Sequence, residues 1–211
     1  MQRVALIDYG SGNLRSVEKA LVRAADGTAQ IVVTHDPETV AAADRVVLPG
    51  VGAFAACMAA LSARDGVIAA MEDAVIRRGA PFLGICVGEQ LMASRGHEFG
   101  VTAGLGWIDG DVRRIAVDDP ALKVPHMGWN TLSGVTDLPL LAGPKSGEPV
   151  YFTHSYAMYP ADEADVAAYV DHGGQFPAAV ARGNLAGVQF HPEKSQAAGL
   201  KLLASFLEWR P

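Results

Sequence analysis

The chain has 211 residues, 50% hydrophobic and 19% charged, a mixture too apolar for a disordered chain and too even for a fibrous one. Its 17 Lys and Arg against 23 Asp and Glu leave a formal net charge of −6, which argues against an electrostatic nucleic-acid binder. Two cysteines cannot staple a small secreted scaffold, so a reducing compartment, the cytoplasm, is expected.

In the first half, short apolar runs alternate with helical periodicity. Val4-Ala5-Leu6-Ile7 predicts a strand that stops at Asp8, too short for a secretory leader. Leu14, Val17, Leu21 and Ala24 then recur at helical spacing. Ile31-Val32-Val33 predicts a second strand, and Asp36-Pro37-Glu38 an N-cap with proline at the first helical position. Arg45 to Leu48 predicts a third strand. The uncharged stretch from Val46 to Ala63 has the length of a short membrane span. Pro49-Gly50-Val51-Gly52 breaks it, so a strand, a tight loop and an Ala-rich helix through Met58 and Leu61 are expected, with no membrane contact. Val67 to Ile76 predicts another helix, and Pro81 to Ile85 a fourth strand that runs into Cys86.

The second half predicts strands at Val112–Val117, Val150–Thr153, Ala167–Val170, Ala178–Ala181 and Leu185–Phe190, joined by Gly, Pro, Asp and Asn. A last helix runs from about Gln196 to Trp209 with Ser195 as its cap. Apolar strands separated by helices mean a parallel sheet covered on both faces. The expected architecture is one α/β domain over residues 1–211, a flavodoxin-like three-layer sandwich. Its central sheet is mostly parallel, with antiparallel additions in the second half.

The sharpest chemical feature is Gly84-Ile85-Cys86-Val87-Gly88-Glu89-Gln90. A cysteine ends an apolar strand, glycines stand two residues to each side, and a helix is expected from about Gly88. This is the pattern of a nucleophile elbow. Helix-start geometry would lower the thiol pKa, and the Val87 N–H would face an oxyanion. Cys57, inside the Ala-rich helix, reads as a small core residue. His191-Pro192-Glu193 after the last strand supplies a base and a carboxylate to orient it. Pro49-Gly50-Val51-Gly52 can present backbone N–H groups beside Cys86. Each pattern alone also fits ordinary structure: a buried cysteine, a surface loop, a strand-to-helix turn.

Together the blocks resemble the class I, triad-type glutamine amidotransferases, and more closely the branch that serves a cyclase in histidine biosynthesis. The resemblance runs from Asp8-Tyr9-Gly10-Ser11-Gly12-Asn13-Leu14 to His191-Pro192-Glu193-Lys194-Ser195. It passes through Leu48 to Phe54, the elbow, Pro125-His126-Met127-Gly128-Trp129-Asn130 and Tyr151-Phe152-Thr153-His154-Ser155-Tyr156. The elbow departs from the usual Leu-Gly-Met-Gln after the cysteine: Glu89 replaces the methionine. Facing the site, its carboxylate would raise the pKa of Cys86; facing solvent, it would do nothing.

The resemblance implies L-glutamine as substrate, with Cys86 as nucleophile, His191 as base and Glu193 as its orienter. The oxyanion would be held by the N–H of Val87 and by one from Gly50-Val51. Gln90 and Glu98 would contact the amino-acid end of glutamine, with the backbone at Gly52, Ser155 and Tyr156. Asn13, His126, Trp129, Tyr151 and Lys194 match positions near an interface with a (β/α)₈-barrel cyclase, through which ammonia passes. Glutaminase activity is expected to be weak without that partner, because the Gly50-Val51 peptide would face the wrong way. The remaining histidines, His35, His97, His154 and His172, show no metal-ligand spacing, and no phosphate loop is present, so no metal and no cofactor are expected. Still open are the glutaminase of another synthase, a cysteine peptidase on a related sheet, and a scaffold whose site Glu89 has disabled.

Overall fold

A computed structural model describes residues 1–142 and 147–211. The first half runs β1 (Gln2–Ile7), α1 (Leu14–Ala25), β2 (Ala29–Thr34), α2 (Pro37–Ala41), β3 (Arg45–Gly50), α3 (Phe54–Ser62), α4 (Val67–Met71), β4 (Phe82–Cys86) and α5 (Val87–Gln90). Then follow β5 (Arg95–Gly96), β6 (Thr102–Ala103), β7 (Gly110–Arg114), β8 (His126–Ser133), β9 (Pro149–His154), β10 (Tyr156–Pro160), β11 (Val166–Asp171), β12 (Gln175–Arg182), β13 (Leu185–Val188) and α6 (Gln196–Glu208).

Among the described residues, nine strands form one sheet in the order β2-β1-β3-β4-β13-β12-β11-β8-β9. Pairing is parallel from β2 to β13 and antiparallel beyond. Right-handed crossovers dictate the layers. The chain moves one way from β1 to β2 and the other way from β2 to β3, so α1 and α2 fall on opposite faces. The helices sort accordingly: α1 packs on α6, while α2 and α3 pack on α4. The expected sandwich is therefore present. Val46, Val47, Leu48, Phe82, Leu83 and Ile85 are fully buried on the central strands, each contributing roughly 1.5–3 kcal/mol over exposure.

The order β3-β4-β13 sets up the site. These adjacent parallel strands end side by side, with Gly50 opposite Cys86 and Val188 opposite Ile85. The loop after β3, the elbow after β4 and the His-Pro-Glu segment after β13 leave the same edge of the sheet.

Several local expectations change. The helix expected over Val67–Ile76 is split, because Glu72–Arg77 winds more widely and Arg78 N donates to Asp73 O, five residues back. The strand expected at Val112–Val117 lies at Gly110–Arg114 and forms a second sheet, β10-β7-β5-β6. The Pro-His-Met-Gly-Trp-Asn block forms most of β8, although its polar composition gave no strand signal. Ser195 stands at the start of α6 without capping it. Its hydroxyl donates to His191 O (2.6 Å) and accepts from Tyr151 N (2.9 Å). No single helix among the described residues is long and apolar enough to cross a membrane.

Candidate active site

Cys86 closes β4 with φ 55° and ψ −114°, a left-handed conformation that costs a non-glycine residue roughly 1–3 kcal/mol. The turn folds back so closely that a Cβ on Gly88 would run into the Leu48 carbonyl. This is the expected elbow, but its electrostatics are not those expected. The following helix is one turn, Val87–Gln90, too short to offer much dipole. Burial, then Glu89, then Glu193 push the Cys86 thiol up to about 12, against a lowering contact from the Val87 N–H. The sulfur is a thiol at rest rather than a preformed thiolate.

Glu89 is turned away from solvent and lies close enough to Cys86 to raise its thiol pKa. It is completely buried, and neither carboxyl oxygen has a hydrogen-bond partner among the described residues. Gly187 makes room for it: a Cβ there would crowd Glu89 Cβ at 2.9 Å and Met92 Sδ at 3.2 Å. Burial raises its pKa to about 8, so it is mostly neutral at pH 7.

His191 is fully buried, and its Nδ1–H donates to Glu193 Oε1 at 2.8 Å. A carboxylate only accepts, so Nδ1 carries a proton, and in the neutral ring the lone pair is then on Nε2. That is the tautomer a base needs, and Nε2 has no partner among the described residues. Asn13 Nδ2 donates to the same oxygen at 3.0 Å, while Ser11 Oγ donates to Asn13 Oδ1 at 2.7 Å. Burial would raise Glu193, but the bonds from His191 and Asn13 outweigh it and hold the carboxyl below its ordinary value. Asn13, expected near a partner surface, is buried with its amide on Glu193.

Cys86, Val87 and His191 line a cavity of about 400 Å³ with Val51, Gly52, Gln90, Glu98, Ser155, Tyr156 and Lys194. Gly50 does not line it, although it ends β3 beside Cys86. Gln90 Nε2 donates to the Tyr156 carbonyl (3.0 Å) and to Gln189 Oε1 (2.8 Å), so its own Oε1 is left as an acceptor. Glu98 Oε2 accepts from Phe54 N at 2.7 Å, satisfying an orphan N–H in the first turn of α3. Its other oxygen is unspent there. Two acceptors in one cavity suit an ammonium group.

Trp129 is 48% exposed and Met127 63% exposed on β8. The Trp129 ring meets Tyr151 edge-on at 5.9 Å, and Lys194 Nζ lies 5.6 Å from the Tyr151 ring. His126 is buried, not displayed: Nδ1 lies 3.0 Å from His154 Nε2, and the ring stacks on His172 at 4.1 Å. His154 Nδ1 can only donate to the Tyr156 carbonyl (2.9 Å), so His154 Nε2 accepts from His126 Nδ1–H. Burial first, then neighbouring histidines, lower His126 to about 3. Burial likewise lowers His154 to about 4, against the opposing bond to Tyr156. Below the ordinary value of 6.5 the unfolded chain binds protons that the native pair refuses, so stability falls as pH drops from about 6.5 toward 4. The urea midpoint is expected to fall between pH 7 and pH 5, and to fall less in His126→Gln. An equal slope in the two proteins would remove the pair as the cause.

Sequence reasoning passed over Gln189 and gave His154 no role. Gln189 Nε2 lies 3.6 Å from Cys86 Sγ. The available signal was one amide inside the apolar run Leu185–Phe190.

Comparison with known proteins places the chain in a family. The family model "Glutamine amidotransferase class-I" matches residues 5–209. The chain is similar to imidazole glycerol phosphate synthase subunit HisH of Caulobacter vibrioides, 62% identical over all of both chains. It is 59% identical to the same subunit of Rhodospirillum rubrum, over 99% of this chain and 100% of that protein. Among solved structures, a glutamine amidotransferase superposes with TM-score 0.72 at 20% identity over 97% of both chains. A glutamine amidotransferase from Thermotoga maritima superposes with TM-score 0.63 at 18% identity, covering 98% of this chain and 96% of that one. These two share the fold. The chain belongs to the class I glutamine amidotransferases, in the branch of imidazole glycerol phosphate synthase subunit HisH.

Proposed function

We propose that the chain is the glutaminase subunit of an imidazole glycerol phosphate synthase, acting in the cytoplasm on L-glutamine and delivering ammonia to a (β/α)₈-barrel cyclase subunit. The observation that carries the reading is the convergence of Cys86 and His191 on one cavity, with His191 held by Glu193 in the base tautomer. Gln90 Oε1 and the free oxygen of Glu98 hold the α-ammonium of glutamine. Backbone groups at Gly52, Ser155 and Tyr156 complete the cradle. His191 Nε2 takes the thiol proton, and the sulfur uses the freed pair to bond the side-chain amide carbon of glutamine. The oxyanion is met by the N–H of Val87 and by one from the Gly50-Val51 segment; one such donor is worth on the order of 3 kcal/mol in the barrier. His191 returns the proton to nitrogen, the C–N bond breaks and ammonia leaves. Water, deprotonated by His191, then cleaves the thioester to glutamate and restores the thiol.

The exposed Trp129 and Met127, beside Tyr151 and Lys194, form the face offered to the cyclase. Shielding ammonia from water requires the two sites to face one another. The test is glutamate release by the chain alone and with the cyclase plus its nucleotide ligand. Strong stimulation that vanishes in Cys86→Ala is expected. Equal rates without the cyclase would leave a glutaminase but remove the coupling, and a folded complex with no activity would overturn the enzymatic reading.

A further inference from the structure

Gln189 is fully buried one residue beyond β13, where its backbone N–H donates to Ala178 O at 3.0 Å. Its side-chain orientation is determined by a chain of bonds. The Tyr156 carbonyl accepts, so Gln90 must present Nε2 to it. The same Nε2 donates to the Gln189 side chain at 2.8 Å, so the atom there is Oε1. Gln189 Nε2 is thereby turned toward Cys86 Sγ, 3.6 Å away. The groups facing that sulfur are mostly hostile to negative charge on it. Glu89 on its own turn, Glu193, Cys57 and Tyr9 all oppose an anion there, while His191 lines the same cavity. The Val87 N–H is the other nearby donor, and in the glutaminase reaction it serves the substrate oxyanion.

We propose that Gln189 is a further catalytic residue: its side-chain N–H donates to Cys86 Sγ whenever the sulfur is anionic, and its Oε1 ties that donor to the substrate-binding Gln90. This rests on the proposed glutaminase reaction. Sulfur carries negative charge twice per turnover, once when His191 takes the thiol proton and again when it leaves the tetrahedral intermediate of thioester hydrolysis with the C–S pair. Gln189 serves both moments, while the neutral thiol and thioester make little demand on it. A donor there favours the two transition states over the resting enzyme.

Two variants of the full chain separate this role from packing. Gln189→Glu keeps the acceptor for Gln90 Nε2 and replaces the donor to sulfur; Gln189→Met fills the space with an apolar side chain. The first readout is iodoacetamide alkylation of Cys86 against pH, followed by peptide mapping so that Cys57 is scored apart. The rate at a fixed pH between about 7 and 9, where thiolate is scarce, is expected to fall about tenfold or more in both variants, since a bond to a charged group is worth about tenfold. The second readout is glutaminase activity with the cyclase. In Gln189→Glu a fall in kcat of about tenfold or more is expected, with KM within about twofold. An unchanged alkylation rate in either folded variant, a slowed alkylation with unchanged kcat, or an effect confined to KM overturns the proposal. Alkylation needs no turnover, so failure of the glutaminase reading would show separately, as wild-type chain that alkylates normally and releases no glutamate.

Discussion

Cys86→Ala is expected to abolish glutamine hydrolysis, and His191→Ala to reduce kcat/KM by on the order of a thousandfold or more. The state of the thiol is the reason: burial and two carboxyl groups push it up to about 12. At neutral pH almost no thiolate stands ready, so the proton has to be removed during each turnover. Among the described residues that line the cavity, His191 has the free lone pair to do so, and Glu193 with Asn13 keeps it in that tautomer. The two substitutions should not add. Once the nucleophile is gone the base has nothing to deprotonate, so the double variant should match Cys86→Ala. The rates are measured in the complex with the cyclase, and glutamine binding to Cys86→Ala by calorimetry serves as the control for an intact pocket. Substantial turnover by His191→Ala would remove the base assignment. The same electrostatics predict slow alkylation of free Cys86 at neutral pH, the opposite of what an elbow at a long helix start would give.

Glu89→Met should stabilise the chain, and more so at higher pH. The folded carboxyl has its pKa raised from 4.5 to about 8. Below the lower value both states hold the proton and pH has no effect through this group. Between the two values the native state keeps a proton that the unfolded chain has released, so stability is lost as pH rises. Each pH unit in that window costs about 1.4 kcal/mol, on the order of 3 kcal/mol by pH 7. Methionine fills similar space against Gly187 and Met92 without a charge to suppress. For a chain of this length the gain corresponds to an increase in Tm of roughly 6–12 °C near pH 7, shrinking toward pH 5. Thermal unfolding of both proteins at the two pH values measures it. A gain of equal size at both would mean better packing rather than relief of a buried acid.

The parallel half of the fold was legible because its strands are apolar on both faces and its helices keep a clean period. β1, β3 and β4 follow directly from such runs. β8 was illegible for the converse reason: its residues alternate between burial and exposure with His, Asn and Thr among them, and its stability comes from pairing with β9 rather than from its own apolar surface. The elbow was legible from glycine spacing, since the close approach of Gly88 to Leu48 admits no side chain. The roles of Asn13 and Gln189 were not. Asn13 acts on Glu193 from 180 residues away and Gln189 on Cys86 from 103; no local pattern encodes contacts of that separation. The environment of Glu89 was hidden likewise, because a carboxylate in a first turn is usually favourable and only the packed structure shows that this one is sealed beneath the turn.

The Ser195 hydroxyl has a mechanical consequence. Tyr151 N donates to it, it donates to the His191 carbonyl, and His191 N donates back to the Tyr151 carbonyl at 2.9 Å. One residue of β9 is thus riveted at both of its backbone groups to the segment that bears the base. Cys86, by contrast, is anchored in the buried interior of the sheet. A load pressed onto the Trp129–Tyr151 face would therefore reach the segment that bears the imidazole across a single residue of β9.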